Sequence, residues 1–204
     1  MSRKMTKRPA ASGTTNPEAY SEPLPTLKCG SKPIFRSKAA RDLACILDTN
    51  TDVATWFAPG PALTIGALAH VPDFRIVDRD ETVRFVDAPG RVVELPSEKI
   101  EAVAREQGAS YRLVSAGELY DGFRVRNARD LLRYAHVHVT LADRLRLLAV
   151  LDQEGSLSMA DCFGIVRHGE PVATVASLIL HGFLEVDLDE ALLSPESFVR
   201  RIRN

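Results

Sequence analysis

Two short alternating segments flanking a polar turn constrain this chain more than any other feature. Val71, Pro72, Asp73, Phe74, Arg75, Ile76 and Val77 form the first, and Thr82, Val83, Arg84, Phe85, Val86 and Asp87 form the second. Between them lie Asp78, Arg79, Asp80 and Glu81, which is turn chemistry. Alternation with period two predicts a β-hairpin, and Pro72 suits the place where a strand begins. Pro89 and Gly90 then break the second strand. The hairpin carries Asp73 at the start of one strand and Asp87 near the end of the other. Both carboxylates can therefore face one side of the ribbon.

The elements around the hairpin read as follows. Ala40, Leu43, Ala44 and Leu47 recur at helical spacing, so residues 37–47 form a helix that ends in the turn 48–52. Residues 53–57 are extended, and 63–68 read as one strand. Ser97 is an N-cap for a helix with Ile100, Val103 and Ala104 on one face, closed by Gln107 and Gly108. A strand at 111–115 and a helical turn at 116–120 follow. The order α, β, β, β, α, β predicts a small mixed sheet flanked by helices. Composition then shifts near Gly122. Asn127, Thr140, Ser158 and Glu170 or Pro171 open four helices, and residues 183–187 form a strand. Three short helices followed by a β-element is a winged-helix arrangement.

Charge is unevenly distributed, although the chain's formal net charge is only −1. Residues 1–41 hold nine Lys or Arg and two acidic residues, whereas residues 42–121 hold seven basic and fourteen acidic. Residues 1–25 are rich in Pro, Ser, Thr and Gly and are expected to be disordered. With Arg3, Lys4, Lys7 and Arg8 they form a basic tail suited to phosphate contacts or to solubility. No apolar run approaches the roughly 20 residues of a membrane span. Cys29, Cys45 and Cys162 are odd in number and widely separated, which suggests reduced thiols in a cytoplasm. No Gly-x-x-x-x-Gly-Lys-Ser/Thr loop is present, so no nucleotide cofactor is expected. His136 and His138 could share a face, with no third metal ligand at useful spacing.

Metal-assisted phosphodiester cleavage needs hard oxygen ligands, a polarised phosphate and an activated water. Asp73 and Asp87 are the candidate ligands, and Mg²⁺ would be the metal. A lysine two residues beyond the second acid would share its strand face. That is the logic of PD-(D/E)xK nucleases.

The chain resembles the TnsA-type transposon endonuclease family over most of residues 28–200. Phe35, Arg36, Ser37, Lys38, Ala39, Ala40, Arg41 and Asp42 resemble the family's F-E-S-x-x-E-R-D helix, and Pro72, Asp73 and Phe74 resemble its P-D-F strand. Residues 98–114 resemble its crossover helix and last core strand, and residues 127–199 its winged-helix region. The resemblance implies a restriction-endonuclease-like α/β domain at 26–121 and a mostly helical winged-helix domain at 122–204. It also implies DNA as partner and a transposase alongside.

Of the four catalytic positions expected in that pattern, Asp73 and the chemically similar Asp87 survive. Arg36 and Ala40 stand where the family has glutamates, and Asp87, Ala88 and Pro89 stand where it has E-x-K. Proline offers neither charge nor N–H. The expectation is a DNA-associated accessory protein with metal-dependent cleavage lost or weakened. The alternatives are an active Mg²⁺-dependent endonuclease with a relocated lysine, Lys38 or Lys99, and a protein-interaction module of a transposase complex. Residues 170–184 contain no Lys or Arg, so arginine readout of bases is unavailable there. Arg126, Arg129 and Arg133 are the candidate DNA contacts in the second half, Arg129 and Arg133 lying four apart on one helix face.

Overall fold

The computed structural model describes residues 24–203. The basic positions Arg3, Lys4, Lys7 and Arg8, and all but the last two residues of the expected disordered tail, lie outside the described residues. The first half is a four-stranded sheet in the order β1 (Val53–Phe57), β4 (Phe74–Asp78), β5 (Val83–Asp87) and β6 (Ala109–Leu113). β1 and β4 are antiparallel, as are β4 and β5, while β5 and β6 are parallel. The parallel pair requires a crossover, supplied by α2 (Ser97–Glu106).

Helix α1 (Lys38–Thr49) covers one sheet face. Ser37 caps it by accepting from the Ala40 N–H. Its apolar stripe, Ala40, Leu43, Ala44 and Leu47, meets Val53, Trp56, Phe74, Ile76 and Val86 in one core. Phe35, Trp56 and Phe74 cluster there with ring centroids 5.8–6.4 Å apart. The buried Asp48 carboxylate accepts from the Trp56 indole N–H at 2.8 Å and the Lys28 backbone N–H at 2.9 Å. The opposite face packs Phe85 and Tyr111 against Ile100 and Ala104 of α2.

Residues 63–68 do not form the single strand expected from their apolar content. The chain reverses at Gly66, whose φ of +65° suits glycine, giving a small hairpin of β2 (Leu63–Ile65) and β3 (Leu68–His70). This hairpin delivers His70 to the end of the main sheet.

The second half comprises α4 (Arg124–Leu132), α5 (Leu141–Glu154), α6 (Met159–Ile165) and α7 (Pro171–Leu180), with a three-stranded antiparallel sheet. That sheet runs β7 (Ser156–Ser158), β9 (Phe198–Arg201), β8 (Leu184–Val186). Thr140 and Ser158 cap α5 and α6 as expected. Asn127 does not cap α4; it sits within the helix, fully buried. Its amide donates to the Leu188 and Ala191 carbonyls and accepts from the Leu193 N–H at 2.7–3.0 Å, pinning the segment before β9. A polar residue inside an apolar stripe can serve as a distant tether as readily as a cap.

The two halves share a core. Cys45 of α1 packs with Ala128, Leu131 and Leu132 of α4 and with Ala176 and Leu180 of α7. The fully buried Asp42 carboxylate accepts from Arg129 and from the Tyr120 hydroxyl, with Lys38 at 3.4 Å. The shift at residue 122 is thus a change of architecture across a continuous interior. Among the described residues no helix is long and apolar enough to cross a membrane. Asn127→Ala leaves three backbone groups without their partner, and each unsatisfied buried group costs about 1–3 kcal/mol. Urea unfolding of that variant is expected to show a loss of about 2–4 kcal/mol, with the 188–193 segment gaining hydrogen exchange first.

Candidate functional site

Asp73 precedes β4 and Asp87 ends β5, and the antiparallel register pairs Phe74 with Val86. The two carboxylates therefore meet at one end of the sheet, as the sequence pattern suggests. Both are buried, Asp73 at 5% exposure and Asp87 at 0%. Two ionised carboxylates in such a place repel and lose hydration, so each needs donors and the pair needs a cation.

The cation is Arg91. Its Nη1 lies 3.0 Å from Asp73 Oδ1 and 2.6 Å from Asp87 Oδ1, so one guanidinium nitrogen bridges the pair. Arg36 adds a second charge, with Nε 3.7 Å from Asp73 Oδ1, and is anchored by donating to the Val71 carbonyl at 2.8 Å. The remaining oxygens are also engaged. Asp73 Oδ2 accepts from the Ala88 N–H at 3.0 Å, and Asp87 Oδ1 from the Asp73 N–H at 2.9 Å. Asp87 Oδ2 accepts from the Tyr111 hydroxyl at 2.8 Å and lies 2.7 Å from His70 Nε2. A carboxylate only accepts, so Nε2 carries the proton in this contact. The His70 and Tyr111 rings meet edge to face, with centroids 5.7 Å apart.

Local structure explains the convergence. Tyr111 is the β6 partner of Phe85, and Asp87 lies two residues further along on the same face. Pro89 ends β5 and Gly90, at φ +78°, reverses the chain, so Arg91 returns to the acid four residues behind it.

These surroundings push the two carboxyls apart. Burial raises Asp73, only partly offset by the Ala88 N–H and the Arg91 charge. Burial acts the same way on Asp87, but the bonds from His70 and Tyr111, with Arg91, outweigh it and hold Asp87 below the usual aspartate range. Tyr111 is raised well above an ordinary phenol by burial and by its bond to Asp87.

Whether Mg²⁺ suits this donor set is a question of vacant lone pairs. The facing Oδ1 atoms already share a guanidinium nitrogen, and no group of three or more His, Cys, Asp or Glu is arranged for a metal among the described residues. As arranged, the site fits a guanidinium and not a magnesium ion.

The candidate relocated lysines lie elsewhere. Lys38 pairs with Asp42 and sits over the Tyr120 ring at 5.9 Å, and Lys99 is exposed on α2. Among the described residues the cationic groups within 4 Å of Asp73 or Asp87 are Arg36, Arg91 and, when protonated, His70. Sequence reasoning missed Arg91, His70 and Tyr111. The Pro89-Gly90 turn immediately before it was the available signal for Arg91; nothing local marked the other two.

In the second half, Arg129 is committed to Asp42 and is therefore an internal tie. Arg124 makes a bidentate pair with Asp189. Arg126 is exposed and Arg133 lies just beyond α4, neither in an ion pair among the described residues. Helix α7 is buried at Ala173, Thr174, Val175, Ala176, Ser177, Leu178 and Leu180, with Val172 its one exposed residue, so it offers no polar face to a nucleic-acid groove. His136 and His138 are exposed in the segment before α5. No protein-family model and no curated protein matches the chain.

Removing one partner of a buried charge cluster costs about 3–5 kcal/mol. Arg91→Ala is expected to lose stability on that scale at neutral pH in denaturant titrations, and Arg91→Lys to recover part of it. The Asp87 contribution has a definite sign. Its folded pKa lies below the ordinary 3.8, so ionised Asp87 stabilises above that value and the stabilisation fades as pH falls through the folded pKa. Asp73, shifted upward, acts oppositely. The stability gap between wild type and Asp87→Asn should therefore be wide at neutral pH and close on acidification below about 4.

Proposed function

We propose that this protein is a DNA-associated accessory factor with a restriction-endonuclease-like core and a winged-helix-like second half, akin to TnsA-type transposon endonucleases but without efficient cleavage. The observation that carries this reading is Arg91 Nη1 bridging Asp73 and Asp87. A nuclease centre needs those oxygens free for metal and water. Here an internal cation neutralises them, and it is tethered four residues from Asp87, so a dissolved ion would have to displace a group held at high effective concentration.

Two features support the ancestry. The order α1, β1, β4, β5, α2, β6, with an antiparallel hairpin and a parallel last strand, is the topology expected of that core. The helices α5, α6 and α7 with the sheet β7-β9-β8 have the order of a winged helix. A transposase or related protein is the proposed companion that supplies target choice and chemistry.

The competing reading is an active Mg²⁺-dependent endonuclease in which a basic group other than the usual lysine serves the site. Plasmid nicking separates the two. Purified protein with Mg²⁺ or Mn²⁺ is expected to leave supercoiled plasmid intact while retaining salt-sensitive DNA binding. Robust nicking that vanishes in Asp73→Ala would overturn the accessory reading, and absence of DNA binding at low salt would favour a protein-interaction module.

A further inference from the structure

We infer that a cleft between the two halves, remote from the carboxylate pair, seats the phosphodiester backbone of a nucleic acid; this rests on the DNA-associated reading above. The cleft has a volume of about 850 Å³ and is lined by the β4–β5 turn, by α5 and by the last residues after β9. A smaller recess of about 170 Å³, bounded by His138 and Arg144, adjoins it through His181 and Phe183, which line both.

Charge singles this trough out. It gathers Arg79, Arg144, Arg201 and Arg203 against Asp52 and Asp152, a surplus of two positive charges with the histidines neutral. Arg201 is paired with Asp152. The Arg79 guanidinium donates through Nε at 2.6 Å to the Thr51 carbonyl, and Arg144 lies over the Phe183 ring at 5.0 Å. Arg79, Arg144 and Arg203 form no ion pair with a carboxylate among the described residues. Several arginines elsewhere are paired, as with Arg84 on Asp78, Arg112 on Glu118, Arg124 on Asp189 and Arg129 on Asp42, whereas Arg126, on α4, and Arg133, just beyond it, form no ion pair among the described residues.

The geometry favours a backbone over bases. The Phe183 face is covered by the Arg144 guanidinium, so it is not open for base stacking. The uncommitted cations come from separate elements strung along one contiguous recess, which suits a row of phosphates better than a single anion. Helix α7 is mostly buried and carries no Lys or Arg, so backbone contact at this trough suits the second half better than groove entry by that helix.

The test uses the full chain and a short fluorescent DNA duplex, with affinity measured over a salt series. Each phosphate contact adds about 0.9 to the slope of log K against log salt. The triple variant Arg79→Gln/Arg144→Gln/Arg203→Gln should lower that slope by about 2 to 3, whereas Arg126→Gln/Arg133→Gln should leave it largely intact. Should the triple variant fold poorly, Arg203→Gln alone, near the chain end, should lower the slope by about 1. Wild-type binding with a slope unmoved by the triple variant, whatever the Arg126/Arg133 set does, overturns the assignment of this cleft while leaving the DNA-associated reading standing. Absence of wild-type binding at low salt overturns both. Poly-glutamate competing as well as DNA, and losing affinity in the same variants, would reassign the cleft to acidic protein segments.

Discussion

Two buried carboxylates side by side cannot both stay ionised without a cation between them, and this chain meets that constraint from within. Arg91 bridges Asp73 and Asp87, and the arrangement of the whole sheet end follows from it. The turn at Pro89 and Gly90 exists to bring Arg91 back. The β2–β3 hairpin places His70, and the parallel strand β6 places Tyr111, each meeting an Asp87 oxygen. A metal centre would hold the same oxygens by coordination, with geometry set by an exchangeable ion. A guanidinium tethered to the loop makes the site a structural joint between β4, β5 and the segment leading to α2.

A second buried carboxylate joins the two halves. Asp42 receives Arg129 from α4 and Tyr120 from the end of α3 (Ala116–Tyr120), while Cys45 packs against α4 and α7. Helix α7 is spent largely on the interior, and Arg129, expected from the sequence to touch phosphate, holds Asp42 instead. On the DNA-associated reading proposed above, contacts fall to surface left over after these ties are made, with Arg79, Arg144 and Arg203 as the proposed ones.

Much of the fold was legible because its signals are local. Alternation with Pro72 and Pro89 as punctuation fixed the β4–β5 hairpin, and Ser37, Thr140 and Ser158 marked three helix starts. The errors came where one residue admits two roles. Gly66 within an apolar run reads as a strand interior yet permits a reversal, and Asn127 reads as a cap yet tethers a segment more than sixty residues away. The site divided the same way. Its carboxylates were legible because both belong to one hairpin. His70 and Tyr111 were not, because each reaches Asp87 only through tertiary pairing.

The lysine that the TnsA-like pattern leads one to expect after Asp87 is absent, and geometry supplies a charge at another position. Pro89 removes the charge expected two residues after Asp87, but the same proline, with Gly90, makes the turn that returns a charge at Arg91. The two basic groups are not equivalent. A lysine ammonium is a compact point charge that can serve a phosphate and a metal-bound water, whereas a planar guanidinium engages carboxylates directly and keeps its proton. Exchanging one for the other conserves the neutrality of the centre and therefore the fold. It does not conserve the open oxygen lone pairs on which hydrolysis depends. The joint that Asp73 and Asp87 form with Arg91 accounts for the buried pair physically, without requiring a catalytic role of it.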